Sequence, residues 1–348
     1  MDFYQLFILS CFKEAKPMRT STLYHLLKGK RTSSILTYGY FYDALKYFAL
    51  LPKLKETTYN QIISDLKTNN FLLENKDGLS VISEKGLALI NQENFPETSN
   101  LQQMVYYKWD LAFFERIVFT TQVLSEKAYL EKQYLPIETN LFKQQRLKIW
   151  LSKQKKDVVT GFYYEWDKLV DCLPIDGQEL ILKQLVGHNH RGQTLQQISE
   201  DKTKHPLYLY LEFKNYWHLL IAEIIENSNN YPLFTSILIE EKTFVKEDSS
   251  QKTSELVLKG YSIEEIARVR NLKISTVTDH LIEDYILNQT KINLIDEKAS
   301  DFLMAYYGKD SNYILWTFKE ATNYYPDLSF YDFKFFQFRL FEKEREND

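Results

Sequence analysis

The sequence predicts a mainly α-helical fold: a winged-helix-like N-terminal unit with a small β-hairpin, a helical middle and a C-terminal helix-turn-helix. Three observations lead to this prediction. Gly (10) and Pro (8) are scarce among the 348 residues, which disfavours loop-dominated all-β architectures. Apolar residues recur at helical spacing over most of the chain. Two short apolar runs flank an Asp-Gly turn near residue 77, which is a local hairpin signal.

The N-terminal unit is expected to span residues 1–95. Periodicity predicts helices over residues 3–12, 20–27, 33–48 and 58–69. The runs Phe71–Glu74 and Leu79–Ile82 flank Lys76-Asp77-Gly78 and predict a hairpin, after which Ser83 begins another helix. Helices, then a hairpin, then a helix is the layout of a winged helix. The polar stretch 91–100 contains Pro96 and reads as a linker.

The middle unit is expected to span residues 96–250, and the last unit residues 251–348. Between Leu101 and Ile225 the periodicity is mostly helical. The polar run Lys246-Glu247-Asp248-Ser249-Ser250 marks the second boundary.

A helix-turn-helix signature lies between Ser262 and Leu281. Ser262 and Glu265 have the spacing of a capping box. Ala267 is small where two helices must cross, and Asn271 tolerates the positive φ that the turn requires. Ser275 is expected to cap the next helix. Together these residues predict two helices joined by a tight turn.

The second helix of this motif would present its N-terminal side chains to a DNA major groove. It has no Arg, Asn or Gln near its start, the residues that best read guanine and adenine. Acidic residues follow on the same helix and would repel phosphates. Direct DNA contact and a module for protein contacts therefore both remain open. The candidate DNA-contacting residues are Lys273, Ser275, Thr276 and Thr278.

A first basic patch lies in the N-terminal unit. Residues 1–95 contain twelve Lys and Arg against nine Asp and Glu, whereas residues 251–348 contain thirteen against seventeen. Cations on a winged helix can bind phosphates, although a solvated turn is the alternative. The candidate nucleic-acid-binding residues here are Arg19, Lys28, Lys30 and Arg31.

A second basic patch lies in the middle unit, where Lys and Arg alternate with apolar residues as in a basic amphipathic helix. Such a helix could follow a nucleic-acid backbone, dock on an acidic partner, or be an ordinary surface helix. The candidate nucleic-acid-binding residues are Lys143, Arg146 and Lys153, with Lys148, Lys155 and Lys156 in the same run.

The C-terminal tail, residues 324–341, is dense in Tyr and Phe. These residues either complete the core of the last unit or line an exposed patch for a partner.

Catalytic and cofactor chemistry finds little support in the sequence. There is no Gly-rich phosphate loop and no Gly-x-Ser-x-Gly elbow, and His188 and His190 lack a third ligand of suitable spacing. Two cysteines exclude a disulfide scaffold. We expect no enzyme activity, no metal and no cofactor. The N-terminus shows no signal peptide and no apolar run would span a bilayer, so we expect a cytoplasmic protein without membrane contact. Association with the nucleoid would follow if the protein binds DNA.

Residues Thr253–Leu281 resemble the helix-turn-helix domain at the C-terminus of some RecQ-family DNA helicases, and residues 314–320 and 328–334 fit its later half. The whole chain, which has no ATPase motor, is similar to the YpbB proteins of low-GC Gram-positive bacteria. Those proteins carry the domain without the helicase and are encoded beside a RecQ-type helicase. The run Arg19–Lys30 also resembles that family.

This resemblance implies a non-enzymatic accessory factor that partners a RecQ-type helicase in DNA repair or replication. Such a factor would bind DNA, the helicase or both, and its DNA binding would be weak or non-specific. The alternative is a helix-turn-helix transcription regulator that reads one operator sequence. A regulator would normally offer base-reading side chains on its recognition helix, which this sequence lacks.

Overall fold

The computed structural model describes residues 1–14, 16–244, 249–288, 295–308 and 312–346. Over these ranges the protein is mostly helical with one two-stranded sheet, which confirms the predicted fold class. Short 3₁₀ turns lie at Leu45–Tyr47 and Tyr313–Leu315. The elements are α1 (Phe3–Ser10), α2 (Thr20–Leu27), α3 (Ser33–Phe41), α4 (Glu56–Thr68), β1 (Leu72–Glu74), β2 (Ser80–Ile82), α5 (Glu84–Gln92), α6 (Gln103–Tyr106), α7 (Asp110–Ala128), α8 (Leu141–Ser152), α9 (Val158–Asp171), α10 (Ile175–Leu182), α11 (Leu195–Lys202), α12 (Pro206–Glu226), α13 (Pro232–Thr243), α14 (Ser249–Leu258), α15 (Ile263–Arg270), α16 (Ile274–Asn288), α17 (Glu297–Tyr307), α18 (Phe318–Tyr324) and α19 (Phe330–Arg345).

The chain forms two compact units. The first unit contains residues 1–18 and 55–246, and the second contains residues 19–54 and 247–348. This grouping differs from the three ranges expected from the sequence, because α2 and α3 belong with the C-terminal helices. The boundaries 1–95, 96–250 and 251–348 stay predictions about independently folding domains. The polar run behind the second boundary falls largely on residues 245–248, which lie outside the described residues.

The predicted hairpin is present in the first unit. Leu72 pairs with Ile82 and Glu74 with Ser80 in an antiparallel register. The Asn75 side chain accepts backbone hydrogen bonds from Asp77 and Leu79, at 3.0 and 2.9 Å, and so fixes the turn. Met18 bridges the other edge of Ser80. This hairpin, α1, α4 and α5 form the part of the predicted winged helix that lies in the first unit.

The core of the first unit encloses a charged cluster between α7 and α12. Asp110, Lys214 and His218 are each at most 1% exposed. The carboxylate of Asp110 pairs with Lys214 and lies 2.8 Å from Nε2 of His218. Nδ1 of His218 accepts a hydrogen bond from the backbone N–H of Gln102 at 2.9 Å. The cluster therefore fixes the segment before α7 against the long helix α12.

The second unit has an aromatic core shared by α3, α16 and α19. Phe338 on α19 contacts Tyr40 and Phe41 on α3, and it stacks on Tyr285 of α16 with ring centroids 5.0 Å apart. Most aromatic residues of the C-terminal tail are buried, so they complete the core of this unit. Those buried residues are Tyr331, Phe333, Phe335, Phe336, Phe338 and Phe341, whereas Tyr324 is exposed.

Candidate nucleic-acid interface

The turn of the helix-turn-helix has the geometry that its sequence predicts. The hydroxyl of Ser262 accepts a hydrogen bond from the N–H of Glu265 at 3.2 Å, and the Glu265 carboxylate accepts from the N–H of Ser262 at 2.8 Å. This reciprocal capping box starts α15. Asn271 ends α15 with φ of +52°, a conformation that Asn tolerates better than most residues. Ala267 is buried at the crossing with α16.

The helix α16 begins two residues earlier than predicted. It starts at Ile274, and the carbonyl of Lys273 accepts hydrogen bonds from the N–H groups of Thr276 and Val277. The expectation that Ser275 caps this helix is therefore corrected: Ser275 lies inside the first turn, on the surface.

Most of α16 is enclosed within the second unit. It packs on α14 and α15 on one side, and on α3 and α19 elsewhere along its length. Thr278 is only 5% exposed, so its expected role as a base-contacting residue is corrected: the side chain is almost entirely enclosed by its neighbours. Ser275 and Lys273 are exposed and Thr276 is half-buried. Only the first turn of the helix offers a continuous outer surface.

Two further exposed side chains near the turn were not predicted from the sequence. Ile274 is 52% exposed at the first position of α16, where an apolar side chain can contact a thymine methyl group. Arg268 is exposed on α15 and, within the part of the chain that the structure describes, has no ion-pair partner. The sequence signal that could have identified Arg268 is its position three residues before the turn residue Asn271. Glu264 and Glu265 are also exposed on α15 and limit the positive charge of this surface.

The other arginine of α15 serves the fold. Arg270 donates hydrogen bonds to the backbone carbonyl and hydroxyl of Ser249, both at 2.7 Å, and also contacts Thr253. His280 on α16 lies beside them, with Nδ1 3.0 Å from the Thr253 hydroxyl. Burial and the charge of Arg270 lower the pKa of His280, so it is neutral near pH 7 and can accept a hydrogen bond. These contacts tie the start of α14 to the other two helices.

The first basic patch is divided by the structure. Arg31 forms an ion pair with Glu283 of α16, and Lys28 donates to the carbonyl of Pro52. Both side chains are therefore engaged inside the second unit. Arg19 and Lys30 are exposed. Arg19 and Lys30 are therefore the members of this patch that are best placed to contact phosphates.

The second basic patch lies on α8 and is also divided. Lys143 pairs with Glu115 at 2.9 Å and Glu138 at 3.2 Å, and the hydrogen bond to Glu115 raises the pKa of its ammonium group. Arg146 pairs with Glu241 at 2.8 Å. Lys153 is exposed. Two of the three expected nucleic-acid contacts therefore already have carboxylate partners.

No group of three or more His, Cys, Asp or Glu side chains among the described residues is arranged to hold a metal ion. His188 lies in a turn and its Nδ1 is 2.8 Å from the carboxylate of Glu126. None of the helices in the described ranges is long and apolar enough to cross a membrane.

Comparison with known proteins defines the class of the C-terminal segment. Residues 249–337 match the family model of a helix-turn-helix domain, which covers α14 to α16 and continues into α19. Over 296 residues the chain is 21% identical to Protein YpbB of Bacillus subtilis (strain 168), covering 81% of this chain and 82% of that protein. No solved structure matches significantly.

Proposed function

We propose that this protein is a non-enzymatic accessory factor of a RecQ-type DNA helicase, and that it binds DNA weakly through its helix-turn-helix domain. The observation that carries the proposal is the exposure of the residues around the turn: Arg268 at the end of α15, and Lys273 and Ser275 at the start of α16, are exposed and Thr276 is half-buried. The similarity to Protein YpbB supports the same context. A cytoplasmic, nucleoid-associated location follows from this role.

The limited size of that surface favours weak binding. The end of α15 and the turn before α16 supply two exposed cations, Arg268 and Lys273, because Arg270 and Arg31 are used internally. Each neutralised phosphate contributes to affinity through counterion release, so few cations give low, salt-sensitive affinity. The enclosed remainder of α16 cannot extend along a major groove. This counts against the alternative of a regulator that reads one operator.

The first test is DNA binding by the full chain, measured by fluorescence anisotropy on labelled duplex, forked and single-stranded DNA over a salt series. We expect weak binding that depends little on sequence. Replacing Arg268 and Lys273 together by Ala should reduce the slope of log K against log salt concentration by about two, because two phosphate contacts are lost. Lys298→Ala, an exposed lysine on α17, is the matched control and should leave the slope unchanged.

The second test is partnership with the helicase. The full chain and the RecQ-type helicase of the same organism are mixed and analysed by size-exclusion chromatography and by a strand-unwinding assay. Co-elution, or altered unwinding with the added protein, supports the accessory role. Neither effect, together with binding to one operator at least ~10³-fold tighter than to generic DNA, favours the transcription regulator.

A further inference from the structure

The outer face of α8 combines apolar and basic side chains in a way that the proposed DNA contact does not use. Leu147 and Trp150 anchor the helix in the core, each 1% exposed, and the indole N–H of Trp150 donates to Ser236 at 2.9 Å. On the opposite side Leu141, Phe142 and Ile149 are 79%, 61% and 46% exposed. Phe142 and Ile149 are two helical turns apart and therefore share one face.

Unpaired lysines lie on and beside this apolar face. No acidic residue occurs between Leu141 and Lys156 in the sequence. Lys148 is exposed on α8, Lys153 is exposed directly after its last residue, and Lys155 and Lys156 are exposed in the turn that follows. Within the described ranges none of the four has a carboxylate partner, in contrast to Lys143 and Arg146. The face is thus locally positive and partly apolar, although the middle of the chain is acidic overall.

The helix is held in place before any partner binds. The buried side chain of Gln122 donates to the carbonyl of Leu135 at 3.0 Å and accepts from the N–H of Ile137 at 2.9 Å. Asn140 then caps α8 by accepting from the N–H groups of Phe142 and Lys143. The guanidinium of Arg146 lies over the ring of Phe244, 3.8 Å from its centroid. A rigid surface of this kind loses little conformational freedom on binding.

We propose that this face, composed of Leu141, Phe142, Lys148, Ile149 and Lys153 with Lys155 and Lys156, is the docking site for an acidic peptide segment of another protein that carries apolar anchors. Carboxylates of the segment would pair with the lysines, and its apolar side chains would cover Phe142 and Ile149. Charge complementarity selects an acidic partner. A nucleic-acid backbone would satisfy the lysines but would leave Leu141 and Ile149 exposed to water, so the apolar part of the face favours a peptide.

The proposal is tested with the full chain and a fluorescently labelled synthetic peptide. In this peptide Asp and Glu surround one Phe and one Leu that are spaced as Phe142 and Ile149 are. Anisotropy should show saturable binding that weakens as salt increases. A matched peptide with Asn and Gln in place of Asp and Glu should bind at least about tenfold more weakly, because it lacks the charges that pair with lysine.

Two pairs of substitutions locate the site. Lys148→Glu with Lys153→Glu, and separately Phe142→Ser with Ile149→Ser, should each weaken peptide binding about tenfold or more, since both kinds of contact contribute. Because these side chains are exposed, circular dichroism should show wild-type folding. Lys76→Glu in the hairpin turn and Ile239→Ser on α13 are the controls, both at exposed positions, and should bind the peptide as the wild type does.

Other outcomes overturn the proposal. No peptide binding, or equal binding by both pairs of variants and the wild type, would remove the docking site. Binding of a single-stranded or duplex oligonucleotide, or of vesicles containing anionic lipid, that is lost in the same variants while the peptide does not bind would assign the face to nucleic acid or to membrane. Self-association that the Phe142→Ser/Ile149→Ser variant abolishes, without peptide binding, would make it a contact between two copies of this chain.

Discussion

Replacing Lys214 by Met in the buried charge cluster of the first unit should strongly destabilise the protein. Lys214 is 1% exposed and Asp110 is fully buried, so water cannot compensate the Asp110 carboxylate when its ion-pair partner is removed. His218 would still donate a hydrogen bond at 2.8 Å, but burial disfavours the charged form of this imidazole, so it is a poor replacement for the lost ammonium group. Removing one partner of a buried ion pair costs about 3–5 kcal/mol, and we expect a loss in this range.

A double substitution separates charge from packing. Asp110→Asn combined with Lys214→Met leaves a neutral pair of similar volume, which should recover most of the lost stability because no unpaired charge remains. Urea unfolding at pH 7 followed by tryptophan fluorescence is the assay, since four of the five tryptophans lie in the first unit. A Lys214→Met protein within about 1 kcal/mol of the wild type, or a double variant no more stable than Lys214→Met, would refute the reasoning.

The same cluster gives a pH dependence with a definite sign. Burial lowers the pKa of His218 below 6.5, so below that pH the unfolded chain binds more protons than the folded protein. Burial opposes ionisation of Asp110, but the contacts with His218 and Lys214 outweigh it and hold its pKa below 3.8. Stability should therefore decline as the pH falls below 6.5, and decline further below 3.8. If the free energy of unfolding from urea titrations is the same at pH 7 and pH 5, the effect attributed to His218 is contradicted.

Three further predictions concern the second unit. Ala267→Leu should overpack the crossing of α15 and α16 and cost about 1–3 kcal/mol in urea unfolding, whereas an unchanged midpoint would mean that the crossing is looser than the structure indicates. Asn271→Ala should lower the free energy of unfolding by about 1 kcal/mol because φ is +52° there, and Asn271→Gly should lower it less. Thermal melts that show the Gly variant to be less stable than the Ala variant would contradict this turn conformation. Burial lowers the pKa of Lys334 to about 8, which means that its charged form is destabilised in the folded protein. Lys334→Met should therefore increase the free energy of unfolding at pH 7 by on the order of 1–3 kcal/mol in urea unfolding. A decrease would show that the hydrogen bond from Lys334 to Gln337 contributes more than burial costs.

Local features of the fold could be predicted because their causes are local. The Asn75 turn, the Ser83 cap of α5 and the Ser262–Glu265 capping box each depend on side chains that bond to backbone groups within a few residues. The positive φ of Asn271 likewise follows from its own residue type and the turn. Such signals are complete within a short stretch of sequence.

The candidate site was harder to predict because burial depends on distant partners. Arg31 and Glu283 are 252 positions apart in the sequence, and nothing near Arg31 shows that its charge is already paired. The helix-turn-helix motif alone predicts that Thr278 faces outward, but α16, which carries it, also packs on α3 and α19. One sequence signal was available on α16: Val277 and Ile286 lie on opposite sides of the helix, so they could not both face α14 and α15.

The division of the second unit between two distant stretches of chain has a consequence for the order of folding. Residues 19–54 leave the ribosome long before α16 and α19 exist, and the 252-residue separation of Arg31 and Glu283 corresponds to a delay on the order of 10–50 seconds at bacterial synthesis rates. During that interval the side of α3 that packs on α16 and α19 has no native partner, and exposed apolar surface of this kind recruits chaperones. A fragment that begins at Ser249 would have the converse defect, since α16 and α19 would lack the helix that covers them. The helix-turn-helix of this protein is therefore completed by residues from the beginning of the chain.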